Sequence, residues 1–212
     1  RPTAALKARV VALGAFLGTI AATGVAALGR LALRGVRVLG NAFVAAVREA
    51  EMFTNTFIGL STVANAFGQD VAATKQAAIE LSSDGLLKVN EAAAGLKNLL
   101  ASGLSLPEAI QLMRGFKDSA AFNRQASLGF GQAVVSATEG IKNQNSILVD
   151  NAGLTKNLSV IMKEAGLSVN DLAKVSSDAG IRAKFLGGLM KELAVFSGDA
   201  ERAANEYTGA TS

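Results

Sequence analysis

Gly-Leu-Ser stands twice in this sequence with an acidic residue three places after the serine. The two stretches are Gly103-Leu104-Ser105-Leu106-Pro107-Glu108 and Gly166-Leu167-Ser168-Val169-Asn170-Asp171. Glycine suits the left-handed residue that closes a helix. Serine suits the cap of the next helix, and an acid three residues on completes a capping box. Pro107 falls near a helix start, where its missing N–H costs nothing. Asp150-Asn151 and Ser197-Gly198-Asp199 read as further stop-and-start points. No run alternates as a strand bounded by hairpin turns. These signals predict short helices near 84–102, 106–122, 126–141, 152–165, 169–196 and 199–207.

The first part of the chain is different. The segment from about Pro2 to Leu81 has few stops, and apolar or small residues recur by threes and fours. They run Leu39, Phe43, Ala46, Ala50, Phe53, Phe57, Leu60, Ala64, Phe67, Val71, Thr74, Ala78 and Leu81. That spacing suits a heptad-like rod or one face of an ordinary amphipathic helix. The expected fold is therefore all-α: a long N-terminal helix or helical hairpin over 1–81, followed by a bundle of short helices over 82–212.

Within that first part, VVALGAFLGTIAATGVAALG, residues 10–29, carries no charge. It is long enough to cross a hydrocarbon core. Gly14 and Gly18 have the spacing that lets two helices approach closely, and Gly24 and Gly29 extend the small-residue content. Its Gly, Thr and Ala weaken the insertion signal, so a packed helix and a surface helix stand beside a span. Arg30, Arg34, Arg37 and Arg48 fall on one stripe suited to an acidic surface. A second charge-free window, Met52 to Gln69, could pair with the first as a hairpin turning at Arg48, Glu49 and Glu51.

Charge divides in the same way. Residues 1–50 hold seven Lys/Arg against one acid, Glu49, and the remaining residues hold fourteen against sixteen. A basic first quarter joined to a near-neutral remainder marks a boundary. The opening on Arg rather than Met implies a piece of a longer chain.

Catalytic constellations are missing from the sequence. With no Cys and no His, disulfides, thiolate sites and the commonest general base and metal ligand are excluded. Ser176-Ser177-Asp178 has no histidine to complete a nucleophile–base pair. Gly187-Gly188 lacks the lysine and hydroxyl residue of a phosphate loop. Carboxylate pairs stay open, since nothing selects one pair over another. The basic stripe lacks the interleaved aromatics of a nucleic-acid site, so contact with DNA is expected to be incidental. No catalytic residue, cofactor or metal is expected.

The stretch Ile141 to Leu172, IKNQNSILVDNAGLTKNLSVIMKEAGLSVNDL, resembles a recurrent segment of the tape measure proteins of long-tailed bacteriophages. The likeness is specific in Asp150, Asn151, Gly153, Thr155, Lys156, Asn157 and on to Ser159. It is looser in the flanks, Glu80 to Phe122 and Ala194 to Ser212, and covers roughly residues 80–212. The resemblance implies a mostly helical chain in the tail lumen whose length sets the tail's length. It also implies several copies, commonly three, with tail tube and tail tip proteins as partners. On infection such a protein leaves ahead of the DNA, and its apolar segments act at the host membrane and envelope. No catalytic residues come with the likeness. A helix rises about 1.5 Å per residue, so as one helix the chain would span on the order of 320 Å. The glycine-broken part after Ser82 suits anchoring better than measuring. A pore-forming or toxin-like protein is the other reading of the same apolar segment, and an enzyme fragment with its chemistry elsewhere is a third.

Overall fold

A computed structural model describes residues 54–209, and in it the rod expected to reach Leu81 is cut at residues 67–70. Helix α1 runs over residues 54–66 and closes with Gly68 at φ 65°. The Gln69 N–H donates to the Ala64 carbonyl at 2.8 Å and the Gly68 N–H to Asn65 at 3.2 Å, the paired bonds that satisfy a helix's last carbonyls. Asp70 then caps α2 (Val71–Leu81), its carboxylate accepting from the Ala73 N–H at 2.6 Å. The apolar ladder survives the break. Leu60 and Ala64 before it, and Thr74, Ala78 and Leu81 after it, are buried, while Phe67 at the corner is exposed. The spacing therefore marks one face of two successive helices, and among the described residues no continuous coil runs through it.

The remaining elements are α3 (Val89–Ala101), α4 (Leu106–Asn123), α5 (Phe130–Lys142), α6 (Ser146–Asp150), α7 (Leu158–Glu164), a 3-10 turn (Val169–Lys174), α8 (Ala179–Leu193), a second 3-10 turn (Ala194–Phe196) and α9 (Asp199–Gly209). The fold is all-α, and there is no strand among the described residues. Both capping boxes form. The Glu108 carboxylate accepts from the Ser105 N–H and hydroxyl at 2.7 and 2.8 Å, and Asp171 accepts from the same groups of Ser168 at 2.9 and 2.8 Å.

Two expected helices are divided. The one placed at 152–165 forms only from Leu158, because the chain before it turns at residues 151–152, passes Gly153 at φ 86° and bends at 155–156. The one placed at 169–196 splits, because the Asp178 carboxylate turns back to cap Ile181 at 2.9 Å and starts α8 afresh. The boundary drawn after Leu81 also moves. Residues 54–81 share their core with the later helices, and their unit runs from Met52 to Ser212.

Helix α4 is the centre of this unit. It packs against α2, α3, α5, α8, the 194–196 turn and α9, and buries Ala109, Leu112, Met113, Phe116 and Ala120. Each large apolar side chain so buried contributes roughly 1.5–3 kcal/mol. Small residues set the distances between helices. A methyl group at Gly115 would lie 2.8 Å from Leu193 Cδ1, and one at Gly131 would lie 2.0 Å from a Glu91 carboxylate oxygen. Where α3 crosses α5, the Asn98 amide donates to the Thr138 hydroxyl at 3.3 Å inside the core.

Among the described residues no helix is long and apolar enough to cross a membrane. The stretch 10–29 lies outside them, as do Gly14, Gly18, Gly24, Gly29, Arg30, Arg34, Arg37 and Arg48.

Candidate functional site

The stretch Asp150 to Asn157, singled out in the sequence, is the connection between α6 and α7, and it is a knot of polar contacts. Asp150 ends α6, and its carboxylate reaches forward to accept the Leu158 N–H at 2.8 Å, holding the first turn of α7. Partial burial pushes the Asp150 carboxyl above its ordinary value of 3.8, and the Leu158 N–H opposes that rise. Asn151 binds two elements at once. Its carbonyl accepts from Gln125 N–H at 3.2 Å, and its amide donates to the Ser136 hydroxyl of α5 at 2.7 Å.

Gly153 is required at its position on two counts. Its φ is 86°, and a Cβ there would fall 1.9 Å from the Asn123 carbonyl oxygen and 2.3 Å from its carbon. Both are backbone atoms where α4 ends, so no side-chain rotation relieves the clash. The apolar residues between, Ala152 and Leu154, are buried.

Thr155 and Lys156 fasten the knot to α8. The Thr155 hydroxyl donates to the Glu192 carboxylate, and the Lys156 N–H donates to the same oxygen at 3.1 Å. Glu192 is 8% exposed, and a buried carboxylate without partners would be costly. The Lys156 ammonium turns outward to Glu164 at 2.8 Å, which holds its pKa above the usual 10.5. As an exposed pair it adds little to stability. Asn157 caps α7 through its backbone, its carbonyl accepting from Val160 and Ile161 at 2.9 and 3.2 Å.

All six residues therefore lie in one place and hold α4, α5, α7 and α8 together. Their partners Asn123, Ser136 and Glu192 were not singled out by sequence, because each lies on another helix. Also unforeseen is a cavity of about 640 Å³ between α2, α4 and α9. At its wall the Lys117 ammonium donates to the Leu81 carbonyl and to Asp84, both at 2.6 Å. The signal was available, for Lys117 interrupts the stripe Met113, Phe116, Ala120 that α4 buries. Among the described residues no group of three or more carboxylates is placed to hold a metal ion.

Comparison with protein families, with curated proteins and with solved structures gives no match to this chain.

Proposed function

We propose that the chain is a part of a tape measure protein of a long-tailed bacteriophage, acting by shape and surface. One observation carries the reading. The stretch that resembles that family's recurrent segment, Asp150 to Ser159, directs its polar groups into bracing contacts between helices. Such a motif serves a part that must keep its form under load. On this reading residues 54–209 are an anchoring bundle, which suits their short, capped helices, and the preceding segment does the measuring. Partners are other copies of the chain, tail tube and tail tip proteins, and the host membrane after release. The place is first the tail lumen and then the host envelope.

The test is a deletion in the parent gene. Removing the codons for residues 10–37 should shorten tails by on the order of 40 Å, at the helical rise its sequence leads us to expect. Tails of unchanged length overturn the ruler role of that segment. A peptide covering Lys7 to Arg37 tests the membrane role, since it should turn helical and release dye from anionic vesicles. A coil spectrum with lipid present rejects it.

A further inference from the structure

Two cavities open on the outer face of α4 and share a border. One, of about 630 Å³, lies between the start of α4 and the end of α8, and its walls are mainly apolar: Leu106, Pro107, Ile110, Met190 and Leu193. The other is the cavity of about 640 Å³ between α2, α4 and α9 that Lys117 borders. Arg114, Asp118 and Ser197 line both. Pro107, Gln111, Arg114 and Asp118 follow one another by threes and fours, so they share one helix face, and the two cavities form one groove along it. From Pro107 to Asp118 the groove runs about 16 Å, or three turns of helix.

The halves of this groove differ in charge. Only Arg114 and Asp118, at the border, bring charge to the apolar half. The other half carries four carboxylates, Glu80, Asp84, Asp118 and Glu201, against Arg114 and Lys117, a balance of −2. One of these acids is neutralised: Asp84, by the Lys117 ammonium at 2.6 Å. Glu80 accepts from the Gln76 amide at 3.1 Å and Asp118 from the Ala200 N–H at 3.1 Å, both neutral donors. Among the described residues no ion pair engages Glu80, Asp118 or Glu201. An apolar end followed by an acidic end suits a segment whose uncharged turn is followed by cations.

The chain contains such a segment. Residues 1–50 hold seven Lys/Arg against one acid. Within them Ala26, Ala27 and Leu28 precede Arg30, Arg34 and Arg37, which recur by fours and threes. The stretch from Ala27 to Arg37 has the length of the groove at the helical rise, and its uncharged and basic parts come in the same order as the groove's two halves.

We propose that the groove receives this stretch, Ala27 to Arg37, from a second copy of the chain. The uncharged turn lies against Ile110 and Met190, and the arginines lie against Glu80, Asp118 and Glu201. Complementary charge of this kind fixes partner and register. The pairing rests on the groove and on the charge division, and holds whether or not the chain belongs to a phage tail.

Charge reversal on each side, read by sedimentation equilibrium of the full-length chain, tests the pairing. The native chain should associate with a dissociation constant on the order of 10 μM, as suits a contact at the small end of specific interfaces. Added salt should weaken it, because exposed charges are screened. Glu80→Lys/Glu201→Lys alone, and Arg34→Glu/Arg37→Glu alone, should each weaken association at least about tenfold. An equal mixture of the two variants should recover it, because each supplies the half that the other lacks. A chain carrying all four reversals should recover it as well. Glu80 and Glu201 are exposed, and unchanged circular dichroism spectra and melting curves show that the variants fold. A native chain that stays monomeric overturns the proposal, whether the stretch then lies on its own chain or goes to another partner. Association that ignores either reversal, or variants that do not recover on mixing, overturn it too.

Discussion

Three glycines allow the packing account to be tested by one substitution at graded cost. Gly153→Ala combines two penalties. Its φ of 86° costs a residue with a Cβ roughly 1–2 kcal/mol. The new methyl would also sit 1.9 Å from the Asn123 carbonyl oxygen, and relief means moving the end of α4 away from the turn. Such overpacking costs roughly 1–3 kcal/mol. The same movement stretches the Gln125 N–H bond to Asn151, worth about 1 kcal/mol. The sum is about 4 kcal/mol, which in a chain of this size lowers Tm by roughly 8–16 °C.

Gly166→Ala meets only the first penalty. Its φ is 72° and nothing lies within 4 Å, so about 1–2 kcal/mol is expected. Gly187→Ala meets neither and should stabilise the helix by about 0.5–1 kcal/mol. Urea unfolding of the three variants, followed by circular dichroism, reads the series directly, with m unchanged where the unfolded state is unaltered. Equal losses at Gly153 and Gly166 would refute the close approach of the turn to α4.

Other consequences follow from the buried polar groups. Lys117→Ala leaves the Leu81 carbonyl and Asp84 without their donor and should cost about 3 kcal/mol. A double-mutant cycle with Asp84→Asn should show coupling, and additivity would deny the contact. Glu192→Ala removes the acceptor shared by Thr155 and Lys156 and should cost about 2–3 kcal/mol, whereas Glu192→Gln, which keeps an oxygen there, should lose less by the same urea assay. Asp150 and Asp171 should respond oppositely to pH. Burial raises the folded pKa of Asp150 above 3.8, so its contribution is fullest below that value and is lost as pH rises through the raised one. Asp150→Asn should therefore match or exceed the native chain at neutral pH. Asp171 is lowered to about 2 by the Ser168 N–H, then by the Ser168 hydroxyl and Lys174. Its contribution is present above the ordinary 3.8 and disappears as pH falls through about 2, a titration that carboxyl NMR would show directly.

What was legible in the sequence was local. The boxes at Ser105 and Ser168 form because each partner sits three residues away. The turn at 67–70 was equally local, with Gly68 to close one helix and Asp70 to open the next, but the apolar ladder outweighed those signals. Helix α5 ends at Lys142, within a residue of the expected 141, and closes without a glycine through Gln144 N–H to Ile141 and Asn145 N–H to Gly140, with Gln144 at φ 57°; its start, Phe130, lies four residues beyond the expected 126. The 152–157 stretch could not be seen as a break in the helix, because the carbonyl that excludes a side chain at Gly153 belongs to Asn123. Likewise Glu192 lies 37 residues from Thr155 and Lys117 33 from Asp84. Contacts at such separations are set by how helices cross, which periodicity alone does not encode.

The most direct measurement is peptide mapping by mass spectrometry of purified phage tails, before and after ejection of the genome. The account predicts peptides from residues 54–209 at a few copies per intact tail, and their loss from emptied particles. Intact tails without those peptides, alongside the same polypeptide free in uninfected cells, would contradict it.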